Sequence, residues 1–188
     1  MSVKIVNTET KYNGWARFLV VDVRLPDGKL VRREIEDHGP AVAVLAYDPE
    51  QKTAILVQQF RAPVFLRSQQ EQTIEVIAGI QEEADTIATA RREALEEAGL
   101  ELRSLEYVAT AWTMPGISTE QMTLYLATYR RSDGFKQHGG IAGEHETISV
   151  IELELAKLDK LMASGQITDM KTLVLLQALK LRHAELFA

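Results

Sequence analysis

Two nearly continuous apolar runs, Ala41 to Tyr47 and Thr53 to Phe60, set the tightest limit on how this chain of 188 residues folds. Only a short polar segment opening with Asp48-Pro49 separates them, so they read as a pair of strands. Neither shows a polar face, so both sides of their sheet must be covered. Helices are available to cover it. From Thr86 to Ala98, Ile87, Ala90, Ala94, Leu95 and Ala98 gather on one side of a helical wheel, and Gly99 closes the helix. A shorter helix is expected from Leu155 to Ser164, ended by Gly165. A third runs from Met170 to Leu186, with Asp169 as N-cap and Leu173, Leu176, Leu179 and Leu181 as its apolar face.

Alternating strands fill much of the rest. Trp15 to Arg24 and Lys29 to Glu36 flank Leu25-Pro26-Asp27-Gly28, a hairpin turn in which Gly28 supplies positive φ. Short strands are expected at Gln72 to Ile77, Ser104 to Thr110, Met122 to Tyr129 and Thr147 to Glu154. Strands and helices mix without strict alternation, which implies an α+β domain with a mixed sheet and helices on its faces. Arg130 to Thr147 has no period, and its four glycines suit a segment that closes over a ligand.

Charge and composition narrow the function. A net charge of -6, from 21 basic and 27 acidic residues, argues against binding nucleic acid or anionic membranes. Cysteine is absent, so thiol nucleophiles and cysteine metal sites are excluded while His/Asp/Glu sites remain open. No apolar run approaches the roughly 20 residues that cross a bilayer, and Met1 to Lys11 has no secretory core. A cytoplasmic location is expected.

The chemistry concentrates between Ala78 and Leu100. Glu93 and Glu97, spaced i,i+4, point the same way from one helix and repel, so something must neutralise them. With Glu96 they make three acids in five residues, a set suited to a hard cation such as magnesium, which takes oxygen ligands and is often shared with phosphates. Solvated helix acids, helped by Arg92 four residues before Glu96, are the alternative. The strand, glycine loop and acidic loop that lead into the helix favour an anionic ligand there.

This segment resembles the signature of the Nudix hydrolases: a glycine, five residues, an acid, then Arg-Glu-aliphatic-x-Glu-Glu-x-Gly-aliphatic. Gly79 fits the opening glycine and Arg92 to Leu100 the close. Asp85 replaces the first glutamate and stands one residue nearer Arg92 than in the standard spacing. Gln59-Phe60-Arg61, the acidic strand before Ala78-Gly79, and Pro115-Gly116 followed by Ser118-Thr119-Glu120 are similar to the branch that hydrolyses ADP-ribose and other nucleoside diphosphate sugars. Ile117 stands where a second glycine is common in that branch.

The resemblance implies an α/β/α sandwich at 39–188, preceded at 1–38 by an N-terminal antiparallel hairpin or sheet used in dimerisation. It implies hydrolysis of a pyrophosphate bond in a nucleoside diphosphate sugar, with ADP-ribose the first expectation and GDP-mannose the alternative. Magnesium, or manganese in its place, would be held by the carbonyl of Ala78 with Glu93, Glu97 and Glu146. Glu144 is the expected general base and Glu96 the runner-up. Arg61, Arg32, Arg33, Pro115, Gly116 and Glu120 are the expected substrate contacts, Arg61 through its planar fork on a phosphate. Surface ion pairing is the alternative for Arg61, and solvent-facing charge the alternative for Arg32 and Arg33. Trp15, Tyr12 and Phe18 are read as packing residues rather than base-stacking ones, and His145 is the one histidine near the expected site. A homodimer is expected, and light scattering from a fully active monomer would exclude it. A non-catalytic nucleotide sensor and a protein-interaction domain are the competing classes; the acid set argues against the first, and the lack of a large apolar run against the second.

Overall fold

The computed structural model describes residues 2–135, 138–139 and 148–188. The chain forms two compact units, Met1–Ala41 with Thr110–Met122, and Val42–Ala109 with Thr123–Ala188.

In the smaller unit, β1 (Lys4–Asn13), β2 (Arg17–Arg24) and β3 (Leu30–Asp37) form an antiparallel sheet in that order. The expected hairpin joins β2 to β3. Leu25 donates its N–H to the Lys29 carbonyl at 2.9 Å, and Gly28 adopts φ 88°, which is strained for any side chain with a Cβ. Strand β1 was not expected from the sequence. Its residues are all exposed, so no burial periodicity marks it, and β2 supplies its pairing with register shifts at Ile5/Asn7 and Thr10/Tyr12.

The larger sheet contains β4 (Ala41–Asp48), β5 (Thr53–Gln59), β8 (Leu105–Trp112), β9 (Gln121–Thr128), β10 (His138–Gly139) and β11 (Ile148–Glu154), in the order β10-β11-β5-β4-β9-β8. Every residue of β4 is buried, as its unbroken apolar run requires. Val42, Val44 and Ala46 join the core under helix α2 (Thr86–Ala98), so the alternate residues Ala43, Leu45 and Tyr47 face the opposite layer. That layer carries α3 (Leu155–Ala163) and α4 (Met170–Arg182), with Leu155, Leu158, Leu175, Leu176 and Leu179 fully buried. The turn between β4 and β5 is closed by Asp48, whose Oδ1 accepts the N–H groups of Glu50 and Gln51 at 2.9 and 3.1 Å.

Several expected elements are corrected. The strand expected at Gln72 to Ile77 is two, β6 (Thr73–Glu75) on β5 and β7 (Ile77–Ile80) on β4. They part at Val76, whose N–H donates to Thr172 Oγ1 at 2.8 Å instead of to a strand. A short helix, α1 (Ala62–Ser68), follows Arg61 and buries no residue. The last helix stops at Arg182 rather than Leu186, because His183 leaves helical geometry and Ala184–Phe187 continues as a 3-10 turn. Leu181 is 87% exposed, so the buried face of α4 is Thr172, Leu175, Leu176 and Leu179. No described helix is long and apolar enough to cross a membrane.

Candidate active site

Helix α2 is placed by its caps. Asp85 is the N-cap, accepting the N–H groups of Ile87 and Ala88 at 2.9 and 3.2 Å, an interaction that stabilises by about 1 kcal/mol. Gly99 ends the helix at φ 65°, and Leu100 N–H reaches back to the Ala94 carbonyl at 3.0 Å. The departure of Asp85 from the Nudix signature therefore has a structural use: it starts the helix.

The buried face of α2 is narrower than the apolar wheel implied. Ile87 and Leu95 are exposed, and contact falls on Thr89, Ala90, Ala94 and Ala98. Alanines let a helix lie close to a sheet, and Glu93 and Glu97 flank this stripe on one side. Both carboxylates are thereby brought onto β7. A Cβ on Gly79 would overlap the Glu93 carboxylate, so glycine is required there by close approach. The backbone N–H of Ala78 donates to the Glu97 carboxylate.

Electrostatics separates the three acids. Burial, reinforced by Glu93, pushes the Glu97 carboxyl from 4.5 up to about 8 against the pull of Ala78, Arg61 and Lys171. Glu97 Oε2 is buried and has no hydrogen-bond partner among the described residues. Burial also raises Glu93, opposed by Arg92. Arg92 spans Glu93 and Glu96, at 2.8 Å from each. Glu96 is the most exposed of the three and pairs with Arg92. Two carboxylates of α2 packed on β7, one with a buried oxygen unpaired among the described residues, form a donor set that fits a divalent cation. Among the described residues, no three His, Asp or Glu side chains are grouped to hold a metal ion. Glu144, Glu146 and His145 lie outside the described residues.

Beside this pair is a second charged cluster that the sequence did not reveal. Glu75, on β6, is 2% exposed. Arg61 grips it with Nε and Nη2, both at 2.9 Å, and Lys171 Nζ lies 2.5 Å from Oε2, the oxygen that also accepts from Nη2. Burial alone would raise the Glu75 carboxyl; the fork of Arg61 and the charge of Lys171 outweigh it and hold the group at about 2. Lys171 arrives through the N-terminus of α4, where Asp169 accepts the Thr172 N–H at 3.0 Å and pairs with Lys171 itself at 2.9 Å. An acid within an apolar strand was the available signal for Glu75; nothing near Lys171 marks it.

The remaining expected contacts lie in the smaller unit. Arg32 pairs with Asp22 across β2 at 3.0 Å, and Arg33 donates to the Arg32 carbonyl at 2.8 Å. Pro115 and Gly116 form an exposed turn in which Ile117 N–H reaches the Met114 carbonyl at 3.0 Å, and a Cβ at Gly116 would meet open space. The Glu120 carboxylate lies 3.2 Å from His38 Nε2, a partner that sequence reading missed. Trp15 is 77% exposed and stacks on His38, so it is not a core residue.

The NUDIX domain family matches residues 37–171, and the chain belongs to the Nudix family of hydrolases. It is 34% identical over 169 residues to the GDP-mannose pyrophosphatase of Cronobacter sakazakii, covering 88% of this chain and 87% of that protein. Its identity to the GDP-mannose pyrophosphatase of Salmonella arizonae is 32%, covering 89% and 88%. The fold is also that of a solved ADP compounds hydrolase, at TM-score 0.75 and 16% identity over 97% of both chains.

The close approach at Gly79 is directly testable. Gly79→Ala is expected to lower turnover about 100-fold, because the new methyl displaces Glu93 from β7. Circular dichroism should remain that of the wild type. Unchanged turnover in a folded variant would contradict the geometry.

Proposed function

We propose that this chain hydrolyses the pyrophosphate bond of a nucleoside diphosphate sugar, with GDP-mannose as its first substrate, giving a nucleoside monophosphate and a sugar phosphate. The observation that carries the reading is the Glu93/Glu97 pair of α2 held against β7, with Glu97 Oε2 buried and unpaired among the described residues, in a chain similar over nearly nine-tenths of its length to two GDP-mannose pyrophosphatases. These relatives support GDP-mannose ahead of ADP-ribose, the first expectation from the sequence, and the resemblance to the ADP compounds hydrolase is one of fold at 16% identity.

Magnesium, or manganese in its place, is the proposed cofactor, held by Glu93, Glu97, the Ala78 carbonyl and Glu146. When bound, such a cation screens the diphosphate charge and makes water acidic near neutral pH. Glu144 is the proposed base that takes the proton from the attacking water. Arg61 is the proposed phosphate contact, although not through the fork expected from the sequence, because Glu75 holds its Nε and Nη2. Arg32, Arg33, Pro115, Gly116 and Glu120 are the proposed contacts to the rest of the substrate. The sheet of β1, β2 and β3 is the proposed dimer surface, supported by the exposure of all ten β1 residues.

A panel of GDP-mannose, ADP-ribose, ADP-glucose and diadenosine polyphosphates, read as phosphate freed by added phosphatase, tests the reading. GDP-mannose should be cleaved fastest, and omission of divalent cation should abolish cleavage. Faster cleavage of ADP-ribose would restore the other substrate order. Failure to cleave any nucleotide sugar would overturn the proposal.

A further inference from the structure

His38 follows β3 with its ring between two carboxylates. Nδ1 lies 2.5 Å from Glu36 Oε1 and Nε2 lies 3.2 Å from Glu120 Oε1, while Trp15 covers one face at a centroid distance of 5.0 Å. A neutral imidazole carries a single N–H, so in either tautomer one carboxylate would confront a lone pair. Only the imidazolium donates to both. Around it, the turn after Gly116 is laced to the end of β3. Glu36 N–H donates to the Ile117 carbonyl at 2.8 Å and Thr119 N–H to the Glu36 carbonyl at 3.0 Å. Ser118 Oγ donates to Glu36 Oε2 at 2.7 Å, and Thr119 Oγ1 to Asp37 Oδ1 at 2.6 Å. Among these ties, the His38 contact is the one that grips the Glu120 carboxylate, and the second ring proton decides whether Glu36 and Glu120 are both held.

We propose that His38 is a positioning residue whose imidazolium fixes the Glu120 carboxylate, and with it the Pro115 to Glu120 turn, in the conformation that receives substrate. The proposal rests on the reading that Glu120 contacts the nucleotide sugar. The charged groups facing the ring are Glu36 and Asp37 from its own strand, Glu120 from the turn, and Arg17 of β2, which neutralises Asp37. Burial disfavours the charged ring, but the two carboxylates outweigh it and raise its pKa above the ordinary 6.5. Deprotonation leaves one N–H, which the shorter contact at 2.5 Å keeps on Nδ1 toward Glu36, so the Glu120 contact at 3.2 Å is the one given up as pH rises through that raised value.

The test combines steady-state kinetics with imidazole NMR. For wild type, KM should rise about tenfold across one ionisation above pH 6.5, the loss of a charge-assisted hydrogen bond, with no matching step in kcat. His38→Asn should show the high KM at every pH. His38→Arg, which keeps the charge, should hold the low KM without the step. The NMR titration should find His38 with a pKa above 6.5, both ring nitrogens protonated below it, and a lower pKa in Glu120→Gln. A neutral His38 at pH 6.5, or a wild-type KM profile in His38→Asn, overturns the proposal. Should His38 titrate as expected while Glu120→Gln leaves KM untouched, the assignment of Glu120 to substrate is what fails.

Discussion

Glu97→Gln is expected to lower turnover by about three orders of magnitude, some 4 kcal/mol of transition-state stabilisation, while leaving the fold at least as stable as wild type. The two effects diverge because of where the carboxylate sits. Its Oε2 is buried without a partner among the described residues, and its pKa is pushed up to about 8. The isosteric amide keeps a group that can accept the Ala78 N–H and removes a charge the metal-free fold disfavours. The sign in pH follows from linkage. Between pH 4.5 and about 8 the folded chain retains a proton on Glu97 that the unfolded chain has lost. Stability is thus full below 4.5 and falls by on the order of 3 to 5 kcal/mol as pH rises through about 8. Thermal melts of metal-free protein should show this decline in wild type and a flatter profile in the variant. Equal profiles, or a variant less stable than wild type at pH 8, would contradict the placement of Glu97.

Glu75→Gln should behave in the opposite way, reducing stability by about 3 kcal/mol and the melting temperature by about 10 °C for a chain of this size. The cost arises because Arg61 and Lys171 lose the charge that both of them grip. Glu75 is held at about 2, so its contribution is present above pH 4.5 and disappears as pH falls toward 2. The variant should lose the acid-side dependence that this group supplies. Calorimetric melts from pH 2 to 7 measure it, and a variant with the wild-type melting temperature would show that the cluster is not coupled to folding. Glu75 and Glu97 thus carry opposite pH signatures although both are buried, because one has two cations in contact and the other has a neighbouring carboxylate.

What the sequence disclosed depended on how local each signal was. The runs that became β4 and β5 are buried along nearly their whole length, so composition alone marked them. Helix α2 was bounded correctly because Asp85 and Gly99 act on their own neighbours. Its face was misjudged, since Ile87 and Leu95 are apolar but point to solvent, and only the alanines allow the close approach. Strand β1 was invisible because pairing with β2, rather than any burial of its own, defines it. The two charged clusters were hidden for another reason. Glu75 meets Lys171 across 96 residues, and His38 meets Glu120 across 82, pairings that no spacing rule encodes. The carboxylates of the Nudix signature were legible because i,i+4 spacing is a property of one helix.

Magnesium uptake measured by titration calorimetry tests the central claim most directly, comparing wild type with the Glu93→Gln/Glu97→Gln double variant in the presence of GDP-mannose. Saturable uptake by wild type and its loss in a folded double variant is the predicted result. Equal uptake by both proteins, or none by wild type, would contradict the claim that these two side chains gather cations around a diphosphate.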